Sequence, residues 1–197
     1  MNKCHTTKRG NRIIAVTFLG ILTCTIATDT LQDKCLDDSQ VEPMTNFQPE
    51  KFFNGTWYVT HAWHGTNSTA CYKYKAKKEQ NGSLSFDYGY YKNGDGGTFI
   101  QVRCMETKKT ENTKFSFNCL PIQGKESSGF EQYTVDLTFM ATDYRDHAIF
   151  YTCVPIGNHF AENILILHRT KEDEKMHFEM ENFVHRRNAN CKENPEF

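Results

Sequence analysis

The sequence has no apolar run long enough to cross a membrane as a helix. Its longest, Ile13 to Leu22, is ten residues and is interrupted by Thr17 and Gly20. It has no surplus of positive charge: 23 Lys+Arg face 24 Asp+Glu, which argues against a general nucleic-acid binder. The short motifs of common enzyme classes are missing too, with no nucleophile elbow, no phosphate-cradling glycine loop and no His-Glu-x-x-His. Gly94-Asp95-Gly96-Gly97 is glycine-rich, but no helix follows it, so it reads as a hairpin turn. No Cys-x-x-Cys or Cys/His spacing suits a metal. Enzymatic activity, a metal and a cofactor are therefore not expected.

The first residues read as a processed leader. Lys3, Lys8, Arg9 and Arg12 precede the Ile13–Leu22 run, and Thr25-Ile26-Ala27 offers a small-residue cleavage site. Residues 1–27 are thus expected to be a signal peptide and 28–197 a single domain of 170 residues, secreted and not inserted in a membrane. Losing the four basic leader residues leaves 19 Lys+Arg against 24 Asp+Glu, a net charge of −5.

Eight cysteines become six, since Cys4 and Cys24 leave with the leader. An even count in a secreted chain implies disulfides, but six cysteines allow fifteen pairings. One pair follows locally: a hairpin centred on the polar stretch 107–112 sets Cys104 opposite Cys119.

The rest of the chain is a series of short strands separated by turn residues, as in a barrel or sandwich. Pro49 to Phe53 suits a helical turn. Strands are predicted near 56–63, 70–77, 83–91, 100–106, 113–119, 133–139, 147–154 and 163–169. The second alternates Tyr72, Tyr74 and Ala76 with Lys73, Lys75 and Lys77; with Lys78, these lysines read as a solvated face. The last two strands, with Ile149-Phe150-Tyr151 and Ile164-Leu165-Ile166-Leu167, look buried on both sides and need an outer cover. Met176, Met180, Phe183 and Val184 lie at helical spacing, and a helix there is predicted to supply it.

Gly55 and Trp57 form a Gly-x-Trp at the head of the first strand, Thr142-Asp143-Tyr144 sits between two apolar runs, and Arg169 closes the last one. Together these resemble the lipocalin signature. With the cysteine pattern they resemble more narrowly its triabin/pallidipin branch, the salivary lipocalins of blood-feeding triatomine bugs. The resemblance implies an all-β fold, an eight-stranded antiparallel barrel with one C-terminal α-helix on its side. It implies that Arg169 packs across Trp57 at the closed end, and suggests Cys35–Cys153 and Cys71–Cys191 as the remaining bridges. It also implies a monomeric salivary protein that impairs host haemostasis, sequestering in the barrel an eicosanoid, a biogenic amine or a nucleotide that activates platelets. The alternatives are inhibition of a host protein, thrombin or the collagen–platelet response, through the loops, or an allergen-type paralogue with no ligand. Haem is not expected, because the histidine that holds it in nitric-oxide-carrying relatives is replaced near Tyr90.

Trp57, Val59, His61 and Trp63 share one parity on the first strand. His61, Trp63, Tyr88 and Tyr90 fall near the predicted mouth and are the candidate ligand-binding residues. His61 and His64, three apart, point to opposite faces and make no joint metal site. Asp87 and Asp95 are the nearest carboxylates for an amine, and Asp87 has the wrong parity. Asn54, Asn67 and Asn81 each head an Asn-x-Ser/Thr and are candidate glycan acceptors.

Overall fold

The computed structural model describes residues 31–64, 72–92, 97–108, 114–129, 131–173, 175–176, 184–185 and 197. Among them, eight antiparallel strands run in sequence order around a closed barrel: β2 (Asn54–Ala62), β3 (Lys73–Lys78), β4 (Leu84–Tyr91), β5 (Phe99–Lys108), β6 (Lys114–Gln123), β7 (Tyr133–Thr142), β8 (His147–Ile156) and β9 (His159–His168). Pairing of β9 with β2 closes the ring and removes the sheet edges. A two-residue strand, β1 (Leu31–Gln32), lies on β9. Two four-residue helical turns, α1 (Pro49–Phe52) and α2 (Lys125–Ser128), complete the described elements together with β10 (Val184–His185).

Alternation decides which side chains fill the barrel. Trp57, Phe86, Phe117, Leu137, Phe139, Phe150 and Leu167 all fall in one inner cluster. Phe47, Phe52 and Phe53 join it from the approach segment and α1, stacking Phe47 on Phe139 (4.1 Å) and Phe52 on Trp57 (5.1 Å). One end of the barrel is thus a packed aromatic plug, each such side chain contributing about 1.5–3 kcal/mol by burial. Cys104 and Cys119 stand opposite each other in the β5–β6 register, face inward, and are disulfide-bonded as the hairpin predicted.

The signature residues meet at that end. The Trp57 indole N–H donates to the Phe52 carbonyl (3.0 Å), and Arg169 lies over the ring with Cζ 3.5 Å from its centroid. The Arg169 Nη1–H donates to the Thr56 carbonyl (2.9 Å) and its Nη2–H to that of Tyr144 (3.4 Å). Gly55 has φ +86°, and an added Cβ would only touch Arg169 Nη1 at 3.5 Å, so it is the left-handed backbone of the turn that calls for glycine here. In the β7–β8 turn, Asp143 Oδ1 accepts from the backbone N–H groups of Arg145, Asp146 and His147 (3.1, 2.9 and 3.0 Å). Thr142 Oγ1 donates to the His147 carbonyl and accepts from Tyr144 N–H.

The outer faces of β8 and β9 are buried as expected, in a second cluster of Ile149, Tyr151, Cys153, Ile164 and Ile166. The cover the structure shows is the N-terminal segment, where Cys35, Leu36 and Val41 pack on this layer and the Cys35–Cys153 disulfide fastens it. The Leu36 N–H donates to Tyr151 Oη (2.8 Å), whose own O–H donates to Glu162 (2.7 Å). The predicted C-terminal helix falls largely on 177–183, outside the described residues. Val184, assigned to it by spacing, is instead in strand β10, paired with Ala62 of β2. The ladder between β2 and β3 ends at Tyr58, with one further bond from Val59 N–H to the Tyr72 carbonyl (2.9 Å), and β10 takes up the pairing at His61 and Ala62. Cys71 and Cys191 also lie outside the described residues.

Two measurements check this frame. Arg169→Lys keeps the charge but loses the planar fork, and is expected to cost about 1–2 kcal/mol in urea unfolding, with Arg169→Ala costing about 3 kcal/mol. For Asp143, burial favours the neutral acid, but the three N–H donors and nearby His147 outweigh it and hold the carboxyl at about 2 against an ordinary 3.8. With the folded pKa below the unfolded one, this stabilisation is complete above pH 3.8 and is lost as pH falls through about 2. Asp143→Asn should therefore be less stable at neutral pH and flatten the acid limb of the stability curve, measured as unfolding midpoints from pH 7 down to pH 2.

Candidate ligand-binding site

Opposite the aromatic plug, the inner wall encloses a cavity of about 280 Å³. Tyr72, just before β3, Tyr74 of β3, and Tyr88 and Tyr90 of β4 lie along one wall. Tyr133 of β7, Thr152 and Val154 of β8, and Asn163 and Leu165 of β9 complete much of the rest. Tyr88 and Tyr133 hydroxyls hydrogen-bond to each other across the lumen. Burial, with neighbouring phenols adding to it, pushes Tyr74 and Tyr88 well up. Burial also raises Tyr90, and Tyr133 to about 12. All four are neutral donors at physiological pH.

Two of the four predicted binding residues, Tyr88 and Tyr90, line this cavity. The other two do not. The β2–β9 register shifts between Val59 and His61, a β-bulge that places one extra residue and reverses the alternation. Ala62 takes the inward position beyond Val59, while His61 pairs with Ile166 of the outer layer and Trp63 packs on that layer. Buried His61 meets Thr60 Oγ1 (2.9 Å), which also lies 2.7 Å from His168 Nδ1. The inward step from Val59 to Ala62, three residues instead of two, is the sequence signal for the bulge. Tyr133, Thr152, Val154 and Asn163 escaped the prediction; their inward parity on β7, β8 and β9 is the signal that could have found them.

Asn163 also fixes the rim. Its Oδ1 accepts from the His64 N–H (2.9 Å) and its Nδ2 donates to the His64 carbonyl. Asp87 faces outward, as its parity demanded, and takes two bonds from Arg103 (2.8 and 2.7 Å). Lys75, Lys77 and Lys78 are exposed, whereas Lys73 and Lys75 stand over the Phe197 ring at 5.2 and 4.7 Å, so this lysine face is solvated only in part. Asn54 and Asn81 are exposed. Asn67 and Asp95 lie outside the described residues. No group of three metal-ligating side chains comes together among the described residues. Nor is any helix there long and apolar enough to cross a membrane.

The family model described as Triabin matches residues 27–178. Triafestin-1 of Triatoma infestans is 36% identical over 162 residues, 80% of this chain and 77% of its own length. Triabin of Meccus pallidipennis is 31% identical over 163 residues, 82% and 92%. Two solved structures share the fold at lower identity. LTBP1 in its LTC4 complex has a TM-score of 0.54 at 24% identity, covering 75% of this chain and 86% of that one. A biogenic amine-binding protein has 0.56 at 20%, covering 70% and 72%. With its barrel, signature residues and these relatives in register, the chain belongs to the Triabin family.

Proposed function

We propose that this chain is a secreted salivary protein that impairs host haemostasis by sequestering a small agonist, and that it does so without chemistry. The observation that carries this reading is the tyrosine-walled cavity in the half of the barrel that the aromatic plug leaves unfilled. Its volume is near the lower end of ligand pockets, roughly 300–1,000 Å³, and its lining is mostly apolar with a few polar groups. Such a site suits one compact amphipathic molecule, held one to one. Exposed Asn54 and Asn81 are proposed to carry glycans, away from the cavity.

A second reading rests on a different surface. Met105, Leu120 and Ile122 are large apolar side chains left exposed on neighbouring β5 and β6, beside Arg103. A patch of this kind on a secreted barrel suits contact with a host protein.

Calorimetry of the secreted protein against a thromboxane analogue, a leukotriene, serotonin, noradrenaline and ADP separates the two. Sequestration predicts one-to-one binding of one class at submicromolar affinity, abolished by Val154→Trp, which fills the cavity. Silence across the panel, with inhibition of clotting or platelet aggregation lost in Leu120→Lys/Ile122→Lys, would establish the surface reading instead.

A further inference from the structure

We infer that the cavity recognises its ligand through an oxygen acceptor and rejects protonated amines, so that the cargo is a neutral or anionic amphiphile. This rests on the binding reading above and names the ligand class within it. The two solved relatives cited bind chemically opposite cargoes on one fold, so the fold cannot choose between them; the lining must.

Three features of the lining agree. The first is charge. Among the described residues bordering the cavity, Glu162 alone carries a carboxylate, and that carboxylate is turned to the outer side of β9. There it accepts from Tyr151, in the layer under the N-terminal segment. Asp87 is also outside the barrel and is bound by Arg103. An ammonium entering the lumen would lose its water and meet no opposite charge from these residues, a steep desolvation cost; a carboxylate meets no cation either, but the phenol O–H groups can donate to it.

The second is ring orientation. Tyr faces can hold a cation, but here neighbouring rings cover them in part. Tyr88 stacks with Tyr72 and with Tyr74 (5.5 Å, 29° in each case) and with Tyr90 (6.0 Å, 13°). Faces covered in this way are less open to a cation. A ring edge is the positive pole of the aromatic quadrupole, so wherever edges meet the lumen they favour electron-rich oxygen over ammonium.

The third is hydrogen-bond polarity. Burial keeps the phenols protonated, and the Tyr88–Tyr133 pair joins two of them into one polarised unit at the cavity wall. Two other polar lining groups are committed to backbone. Asn163 holds His64 at both of its amide atoms, and Ser128 donates to the Lys125 carbonyl (2.7 Å). The Tyr88–Tyr133 hydroxyls, with the Tyr74 and Tyr90 phenols on the same wall, are the anchor for a carboxylate, hydroxyl or keto oxygen, and the apolar body of the ligand lies along Val154 and Leu165.

The test uses probes of one chain and different heads, namely decanoate, decanol and decylammonium, with naphthalene as a headless apolar control. Binding to the secreted protein is measured by calorimetry at neutral pH and low salt. Decanoate and decanol should bind, and decylammonium should bind at least about tenfold more weakly. Tyr88→Phe/Tyr133→Phe should weaken decanoate by about tenfold and leave naphthalene unchanged. The single Tyr→Phe variants serve as folding controls by circular dichroism. Decylammonium binding as tightly as decanoate, or an unchanged decanoate affinity in the double variant, overturns the inference while leaving sequestration intact. Failure of all four probes to bind overturns both.

Discussion

The guanidinium of Arg169 over the indole of Trp57 is the constraint on which the barrel depends. A barrel of eight strands needs its last strand to meet its first at a fixed stagger. Hydrogen bonds between β2 and β9 satisfy that meeting but do not define it, because backbone ladders are the same in every register. The side chains define it. Arg169 follows β9, bonds the Thr56 carbonyl of β2 and the Tyr144 carbonyl of the β7–β8 turn, and covers the one ring that α1 also stacks against. A shift of one residue would leave a half-buried cation without partners, which costs more than any single ladder bond. Burial pushes the Arg169 pKa down, and Asp143 nearby partly offsets it, so the turn carboxylate supports the same charge from behind.

Fixing one end so firmly leaves the other available. The plug concentrates the bulky rings of Phe47, Phe52, Phe53, Phe117 and Phe139 at the closed end. Toward the opposite end the inward positions become tyrosine, threonine, asparagine and alanine, which do not fill the section. Cavity and plug are thus two halves of one gradient along the strands. Cys104–Cys119 crosses the wall within the inner cluster, and Cys35–Cys153 fastens the N-terminal cover outside it, so the covalent links brace the wall without entering the cavity lining.

Much of this was legible in the sequence, because a barrel strand advertises its faces by strict alternation. Tyr72, Tyr74 and Ala76, or Tyr88 and Tyr90, needed only a parity count, and the signature residues located the closed end. What defeated the count was one backbone irregularity. The bulge at Thr60 turned His61 and Trp63 outward, and no residue type in that stretch demands a bulge, since β-branched Thr60 suits a regular strand equally well. Only the apolar step from Val59 to Ala62 betrays it. The cover of β8 and β9 was hidden for another reason. Apolar spacing shows that a segment has a face, not which surface that face meets. The N-terminal segment is held there by a disulfide and by the Tyr151 hydroxyl, neither of which periodicity can register.

Proteins that share this fold can hold unlike cargoes for a physical reason. The barrel's stability comes from its ladders, its outer layers and its plug, so inward residues near the open end contribute little to closure and can be changed one at a time. In this chain those positions carry phenols on adjacent strands, and stacking ties their orientation together: Tyr72, Tyr74, Tyr88 and Tyr90 pack against one another before they meet any ligand. Rings held by each other are ordered in advance, and such preorganisation would lower the entropic cost of any binding at this wall. The same packing covers part of the ring faces and leaves the hydrogen-bonded Tyr88–Tyr133 hydroxyls at the cavity wall.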